Sequence, residues 1–163
     1  MAFDRSLIDK YEAGGELLAK AIRGLTRDDF LAIPPPGESS GKWTIQQVVI
    51  HLMDSDLIAA DRMKRVIAEE NPTLIGFDEN KFVSNLFYED QSPGEAATIV
   101  TMNRKNVVKI LRRLPDTAFD RAGVHNERGR QTLADLLKTY TNHLENHVKF
   151  IHAKRAAMGK EMW

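Results

Sequence analysis

Two histidines in the segment NHLENHVKF, His143 and His147, lie four residues apart, a spacing that brings both imidazoles to one point on a helix. Imidazole nitrogen binds divalent metals, and three such ligands with open positions are typical of catalytic sites. His51, far upstream, could supply the third nitrogen. The alternative is that these histidines are hydrogen-bonded core residues, and the spacing alone leaves both interpretations open.

The positions of these histidines on their helices favour burial. At about 100° per residue, His143 and His147 fall within the apolar stripe of the last helix, beside Tyr140 and Leu144. Buried imidazoles need partners, because an unpaired buried polar group costs roughly 1–3 kcal/mol. His51 falls at the edge of the stripe on its own helix, on a flank that can still face the interior of a bundle.

Four other polar residues are candidates for roles at or near this site. Arg104 and Asp56 each lie at the centre of an apolar stripe. They could form a structural ion pair, which we favour, or Arg104 could act in catalysis by binding an anionic substrate group. Asp54 could orient the imidazole of His51, or it could be an exposed carboxylate. His125 precedes the last helix and could act in catalysis beside the metal, although an exposed loop histidine is the more ordinary alternative.

Hydrophobic periodicity predicts four long helices that position these residues. Thr44 with Gln47 forms a capping box, Ser92 is an N-cap before Pro93, and Thr132 is an N-cap. The predicted helices span about 4–23, 45–70, 93–114 and 133–158. The segments between them are predicted as a loop at IPPPGESSGK, a loop at NPTLIG, a short helix at DENKFVSNLF, and a loop or small hairpin at DRAGVHNERGRQ.

Length and composition limit the class of protein. The chain has 163 residues, of which 42% are hydrophobic and 28% charged, and we expect one all-α domain, a four-helix bundle with long connections, over residues 1–163. The formal net charge is zero, which argues against binding to nucleic acid. No apolar run is long enough for a membrane span and no signal peptide is evident, so we expect a cytoplasmic protein. Without cysteine, thiolate ligands and a cysteine nucleophile are excluded.

Two motifs resemble the DinB superfamily when they are taken in order. GKWTIQQVVIHLMDSD is similar to the second-helix motif, and TLADLLKTYTNHLENHVKFI is similar to the last helix with its His-x-x-x-His. NPTLIGFDENKF and VHNERGRQTLADLL resemble the YfiT-like branch, which includes bacillithiol transferases and proteins labelled metal-dependent hydrolases. The resemblance covers about Trp43 to Ile151. It implies an up-down-down-up bundle and a divalent metal on His51, His143 and His147.

The resemblance and the residues together predict a metal-dependent enzyme. Zinc or nickel is the expected metal, with manganese or iron as alternatives. The expected reaction is transfer of a low-molecular-weight thiol to a small-molecule electrophile, or hydrolysis of a small substrate. Asn142 and Asn146 beside the ligands depart from many YfiT-like members and are expected to influence what reaches the open positions. The alternative is a non-catalytic, stress-associated metal-binding bundle; in either case we expect a homodimer.

Overall fold

The computed structural model describes residues 3–33 and 41–160, and most of these residues are helical. The helices are α1 (Ser6–Ala21), α2 (Arg27–Leu31), α3 (Ile45–Ala68), α4 (Glu79–Asn85), α5 (Pro93–Leu111) and α6 (Leu133–Ala157). The strands are β1 (Thr73–Leu74), β2 (Ala122–His125) and β3 (Gly129–Thr132). Short 3-10 turns lie at Tyr88–Asp90 and Asp116–Asp120.

The starts of the long helices follow the capping signals in the sequence. The Thr44 and Thr132 side chains each accept a hydrogen bond from the third residue of α3 and α6, and both caps are reciprocal boxes. The Ser92 hydroxyl accepts a hydrogen bond from the Glu95 N–H at the start of α5, with Pro93 in the first turn. The predicted starts of these three helices are therefore confirmed. Helix α2 was not predicted, and most of the predicted loop at IPPPGESSGK lies outside the described residues.

The four long helices pack as a square in which α1 and α3 each contact α5 and α6. One core cluster joins the start of α1 to the end of α3, the end of α5 and the start of α6. The other joins the end of α1 to the start of α3, the start of α5 and the end of α6. The helices therefore run up, down, down and up, and the expected four-helix bundle is confirmed. No helix in the described ranges has the length and apolarity to cross a bilayer.

In the described part of the chain, a three-stranded sheet adds to the expected all-α fold. β2 and β3 form an antiparallel hairpin, and β1 pairs in parallel with β2 so that Leu74 lies opposite His125. The hairpin was one of the two structures predicted for its segment, whereas β1 falls in a segment predicted to be a loop. The sheet fixes His125 at the entrance to α6, where it can face the α3–α6 groove.

Candidate metal centre

His51, His143 and His147 converge between the antiparallel helices α3 and α6. One ring nitrogen from each lies within 4.8 Å of those of the other two, and this is the only such group of metal-ligating side chains among the described residues. The Nε2 atoms of His51 and His143 are 3.2 Å apart. The rings of His143 and His147 are 4.2 Å apart, centroid to centroid. The i, i+4 spacing thus places two imidazoles on one turn, and α3 supplies the third.

The geometry of the three rings fits a single divalent ion. Two nitrogens bound to one ion at about 2.0–2.1 Å in tetrahedral geometry lie about 3.3 Å apart, close to the observed His51–His143 separation. Neutral imidazoles suit zinc, nickel, copper or iron. Because no fourth side chain completes the group in the described part of the chain, a bound ion would keep open positions.

Hydrogen bonds orient one ligand firmly and another weakly. The Nδ1 atom of His147 lies 2.9 Å from the carbonyl oxygen of His143, so Nδ1–H donates there and Nε2 keeps its lone pair for a metal. The hydroxyl of Ser55 lies 3.5 Å from His51 Nε2. His51 Nδ1 is buried without a hydrogen-bond partner in the described structure, so its tautomer is not fixed in the same way.

The environment keeps all three imidazoles neutral at ordinary pH. Burial, with a smaller contribution from His147, lowers the pKa of His51 to about 4. Burial and the neighbouring histidines lower the pKa of His143 to about 3. Burial also lowers the pKa of His147, although its hydrogen bond to His143 and the charge of Glu79 oppose the shift. Neutral imidazole is the form that binds metal, so the site is ready for an ion without losing protons.

Two cavities border the histidines. We call the first the α3–α6 cavity; its volume is about 150 Å³ and its walls include His51, His143, Tyr140 and residues of β2 and the β2–β3 turn. The second, which we call the Trp43 cavity, has a volume of about 290 Å³ and lies on the side of His147. Trp43 packs edge-on to His51, with ring centroids 5.0 Å apart. The metal site is therefore reachable from two sides.

His125 lies in the wall of the α3–α6 cavity rather than in an exposed loop. It is buried at the end of β2, so the exposed loop position that we considered more ordinary is wrong. The Glu127 backbone N–H donates to His125 Nδ1 at 3.2 Å, which places the ring proton on Nε2. Burial and the charges of Arg62 and Arg128 lower the pKa of His125. A catalytic role for His125 stays a prediction.

Arg104 forms the structural ion pair that the sequence favoured. Its Nε and NH2 groups donate to the carboxylate of Asp56 at 2.7–3.1 Å, and both side chains are buried. One NH1 proton and one further NH2 proton go to the carbonyl oxygens of Tyr11 and Tyr140. The guanidinium also lies over the Tyr11 ring, 4.3 Å from its centroid. With four of its five N–H groups engaged by the protein, Arg104 has no contacts that support a role in substrate binding.

The remaining polar candidates lie away from the three rings. The Tyr88 hydroxyl donates to the Asp54 carboxylate at 2.5 Å, so Asp54 neither orients His51 nor stands as a free exposed carboxylate. The polar side chain of α3 that lies near His51 is Ser55. Asn142 and Asn146 are exposed, and neither lines the two cavities. Their expected influence on the open positions therefore gains no support from the geometry.

Two site residues were missed in the sequence. Glu79, at the start of α4, borders both cavities, and its Oε2 lies 3.8 Å from His51 Nε2. Arg62 lines the α3–α6 cavity and is buried. The sequence could have indicated Arg62, because it follows His51 by eleven residues, about three helical turns, and so lies on the same face of α3. Glu79 had no such signal, because loop closure brings it to the site.

The helical bundle and the three-histidine cluster define a class of protein with a candidate metal centre between two antiparallel helices. The chain belongs to the DinB superfamily, whose family model matches residues 10–151.

Named relatives and solved structures agree with this assignment. "Putative metal-dependent hydrolase OB0782" of Oceanobacillus iheyensis is 32% identical over 113 residues, which cover 69% of this chain and 64% of that protein. "Putative metal-dependent hydrolase YfiT" of Bacillus subtilis is 28% identical over 120 residues, which cover 73% of this chain and 67% of that protein. The matched region thus spans about two thirds of these relatives' length.

The fold is shared with two solved structures. The B. subtilis YfiT structure, described as having "an unusual four-helix bundle topology", matches with a TM-score of 0.87 at 24% identity and covers 97% of this chain and 91% of that chain. A mycothiol-dependent maleylpyruvate isomerase matches with a TM-score of 0.66 at 10% identity and covers 88% of this chain and 58% of that chain.

Proposed function

We propose that this protein is a metal-dependent enzyme in which His51, His143 and His147 hold one divalent ion and the reaction is hydrolysis of a small molecule. The observation that carries the proposal is the convergence of three neutral ring nitrogens within 4.8 Å of one another at the edge of a cavity. The relatives named as metal-dependent hydrolases support the choice of hydrolysis. Zinc and nickel are the proposed metals, and imidazole nitrogen is a suitable ligand for both.

A divalent ion on three imidazoles supplies Lewis acidity and lowers the pKa of a bound water. The residues of the chain confine the substrate and supply its polar contacts. His51 and Ser55 form the α3 wall of the cavity and His143 the α6 wall, which confines a substrate between the two helices. His125, a neutral ring with its N–H on Nε2, can donate a hydrogen bond to a substrate oxygen in the cavity. Glu79 is the acidic side chain near His51 that can accept a proton.

Metal analysis tests the ligand assignment. Protein purified without a histidine tag should contain about one divalent ion per chain, because the donors are already neutral and converged. His143→Ala and His147→Ala should each lower the metal content by at least about tenfold, since two nitrogens hold an ion weakly. The exposed His152 on the same helix offers the matched control, and His152→Ala should keep the metal. Equal metal content in all four proteins would rule out the three-histidine site.

Thiol transfer is the second candidate reaction. The chain has no cysteine, so a thiol must come from a second molecule, and the Trp43 cavity offers space for it beside His147. Ester and amide substrates should be cleaved without added thiol if the reaction is hydrolysis. Consumption of an epoxide or chloro-aromatic electrophile only with added thiol would favour transfer instead. Stoichiometric metal with neither activity is the result expected for a non-catalytic metal-binding bundle.

A further inference from the structure

Arg62 is a buried cation on the face of α3 that carries His51 and Ser55. Its side chain is only 6% exposed. It lines the α3–α6 cavity together with His51 and His143, so a molecule that reaches the three histidines through this cavity also meets the guanidinium. The proposed function uses the histidines, His125 and Glu79, and gives Arg62 no task.

The contacts of Arg62 leave most of its hydrogen-bonding capacity unused. A guanidinium has five N–H groups. One NH1 proton goes to the Tyr140 hydroxyl and one NH2 proton to the Ile75 carbonyl oxygen, which leaves three; the Nε–H group is buried without a partner in the described structure. Unpartnered buried donors cost free energy, and a ligand that accepts from them recovers that cost.

Arg62 also lacks a counter-ion. Among the described residues, no carboxylate lies within 4.0 Å of its guanidinium, whereas Arg65, one turn later on α3, binds both Asp61 and Glu69. Arg104 pairs with Asp56 in the core. A buried charge is retained at low cost only when it is paired, so an unpaired guanidinium at a cavity wall is suited to an anion brought from outside.

The other charges at the cavity are consistent with this interpretation. Arg128 lines the same cavity but is exposed to solvent, so its charge is screened and adds little to that of Arg62. Glu79 and Glu127 also border the cavity, but both are exposed to solvent, which weakens their field at a buried guanidinium. A volume of about 150 Å³ limits the occupant to a small molecule.

We propose that Arg62 is an oxyanion-binding residue of the α3–α6 cavity, and that the molecule acted on at the three histidines carries a carboxylate or phosphate group that pairs with this guanidinium. Arginine binds both groups through paired N–H donors. The inference deepens the proposed function and rests on it for the reaction, but binding of an oxyanion at Arg62 can be measured without turnover.

Nuclear magnetic resonance of the arginine Nε–H groups tests the proposal directly. The full-length, 15N-labelled, zinc-loaded protein is titrated with sodium propanoate, with inorganic phosphate and with propanamide, the neutral analogue of propanoate. The Arg62 signal, assigned by its loss in Arg62→Lys, should shift saturably with at least one anion. Propanamide should bind at least about tenfold more weakly. The anion that binds more tightly identifies the substrate group as carboxylate or phosphate.

Matched variants separate binding from structure. Arg62→Lys should weaken anion binding about tenfold, measured on the Gly76 amide signal in the cavity wall, because an ammonium lacks the planar pair of donors. Arg65→Lys on the same helix should change the strength of anion binding by no more than about twofold. The proposal fails if the Arg62 signal of the unsubstituted protein does not move with either anion, or if propanamide moves it equally. If Arg62→Lys does not fold, the Arg62 signal is assigned from triple-resonance spectra of the unsubstituted protein, and the titrations of that protein still decide the proposal.

The same titration keeps this proposal separate from the proposed function. His143→Ala should lose zinc and still show the anion-dependent shift at Arg62. A shift at Arg62 in a protein that never binds zinc would overturn the metal-dependent function and leave the oxyanion residue standing. Stoichiometric zinc with no shift of the Arg62 signal would overturn the oxyanion-binding role of Arg62 and leave the metal-dependent function standing.

Discussion

Burial of His51 and partial burial of His143 make protonation and folding oppose each other. The folded-state pKa of His51 is about 4 and that of His143 about 3, whereas an unfolded histidine titrates near about 6.5. Between these values the unfolded chain binds protons that the folded chain does not. The folded state therefore loses stability as pH falls from about 6.5, and above that pH the two residues add no pH dependence.

Metal-free protein should show this loss in urea unfolding measured at pH 7, 6 and 5. Each of the two histidines should contribute up to about 1.4 kcal/mol per pH unit to the fall in unfolding free energy below about pH 6.5. His143→Gln should flatten the slope, while His152→Gln, at an exposed position of the same helix, should leave it unchanged. Identical slopes for His143→Gln and the unsubstituted chain would mean that His143 is not buried in its neutral form.

Single residues of the site differ in how far the sequence predicts them. His143 and His147 were predictable because one helix fixes their separation, and a helical wheel places both on the buried face. The prediction of His51 as a third ligand needed the assumption that α3 and α6 are neighbours. Glu79 could not be predicted, because a carboxylate in a first helical turn is equally expected as a dipole partner in solvent.

Helix α1 packs so closely against α5 that a Cβ atom on either Gly14 or Gly15 would clash with an α5 residue. A Cβ atom on Gly14 would lie 2.2 Å from NH1 of Arg104, whose side chain is held by Asp56 and cannot retreat easily. Gly14→Ala should therefore lower the unfolding free energy by about 1–3 kcal/mol, despite the better helix propensity of alanine. Urea denaturation of both proteins at pH 7 measures the difference.

Two further variants show whether the contact with Arg104 is the cause. Gly94→Ala in the first turn of α5 places its Cβ 3.9 Å from the nearest heavy atom and should be tolerated. In the background of Arg104→Met with Asp56→Asn, Gly14→Ala should cost less than about half as much, because the guanidinium is gone. An undiminished cost in that background would point to a different clash.

Among the elements, local sequence signals predicted the long helices, whereas the formation of β1 depends on pairing with a strand that is distant in the chain. The caps at Thr44, Ser92 and Thr132 and the breaks before Pro72 and after Leu114 set the helix ends to within a few residues. β1 is only two residues long and exists because β2 lies beside it, so nothing in its own sequence distinguishes it from a loop. Helix α2 has five residues, too few for a periodic pattern.

For the whole molecule, a bound ion joins α3 to α6 and should add to global stability. Binding to the folded state alone contributes about 4 kcal/mol when the free metal is about a thousandfold above its Kd. For a chain of this size, this corresponds to a rise in Tm of roughly 8–16 °C. Calorimetry with and without zinc measures the shift.

His143→Ala and His147→Ala should lose most of this gain, whereas His152→Ala should keep it. A similar rise in Tm for all four proteins would place the stabilising metal somewhere other than the three histidines. The size of the gain also reports whether the unfolded chain competes for metal, since that competition reduces the shift.

The up-down-down-up order has a consequence for how the chain folds during synthesis. Helices α1 and α3 are consecutive long helices, yet they lie diagonally across the bundle and pack on α5 and α6 instead. An emerging chain therefore cannot form a stable helical hairpin from α1 and α3 alone, and the bundle closes only when α5 and α6 pack on both. Since His51 meets His143 and His147 only when α6 packs on α3, the three-histidine site forms together with the core and not before it.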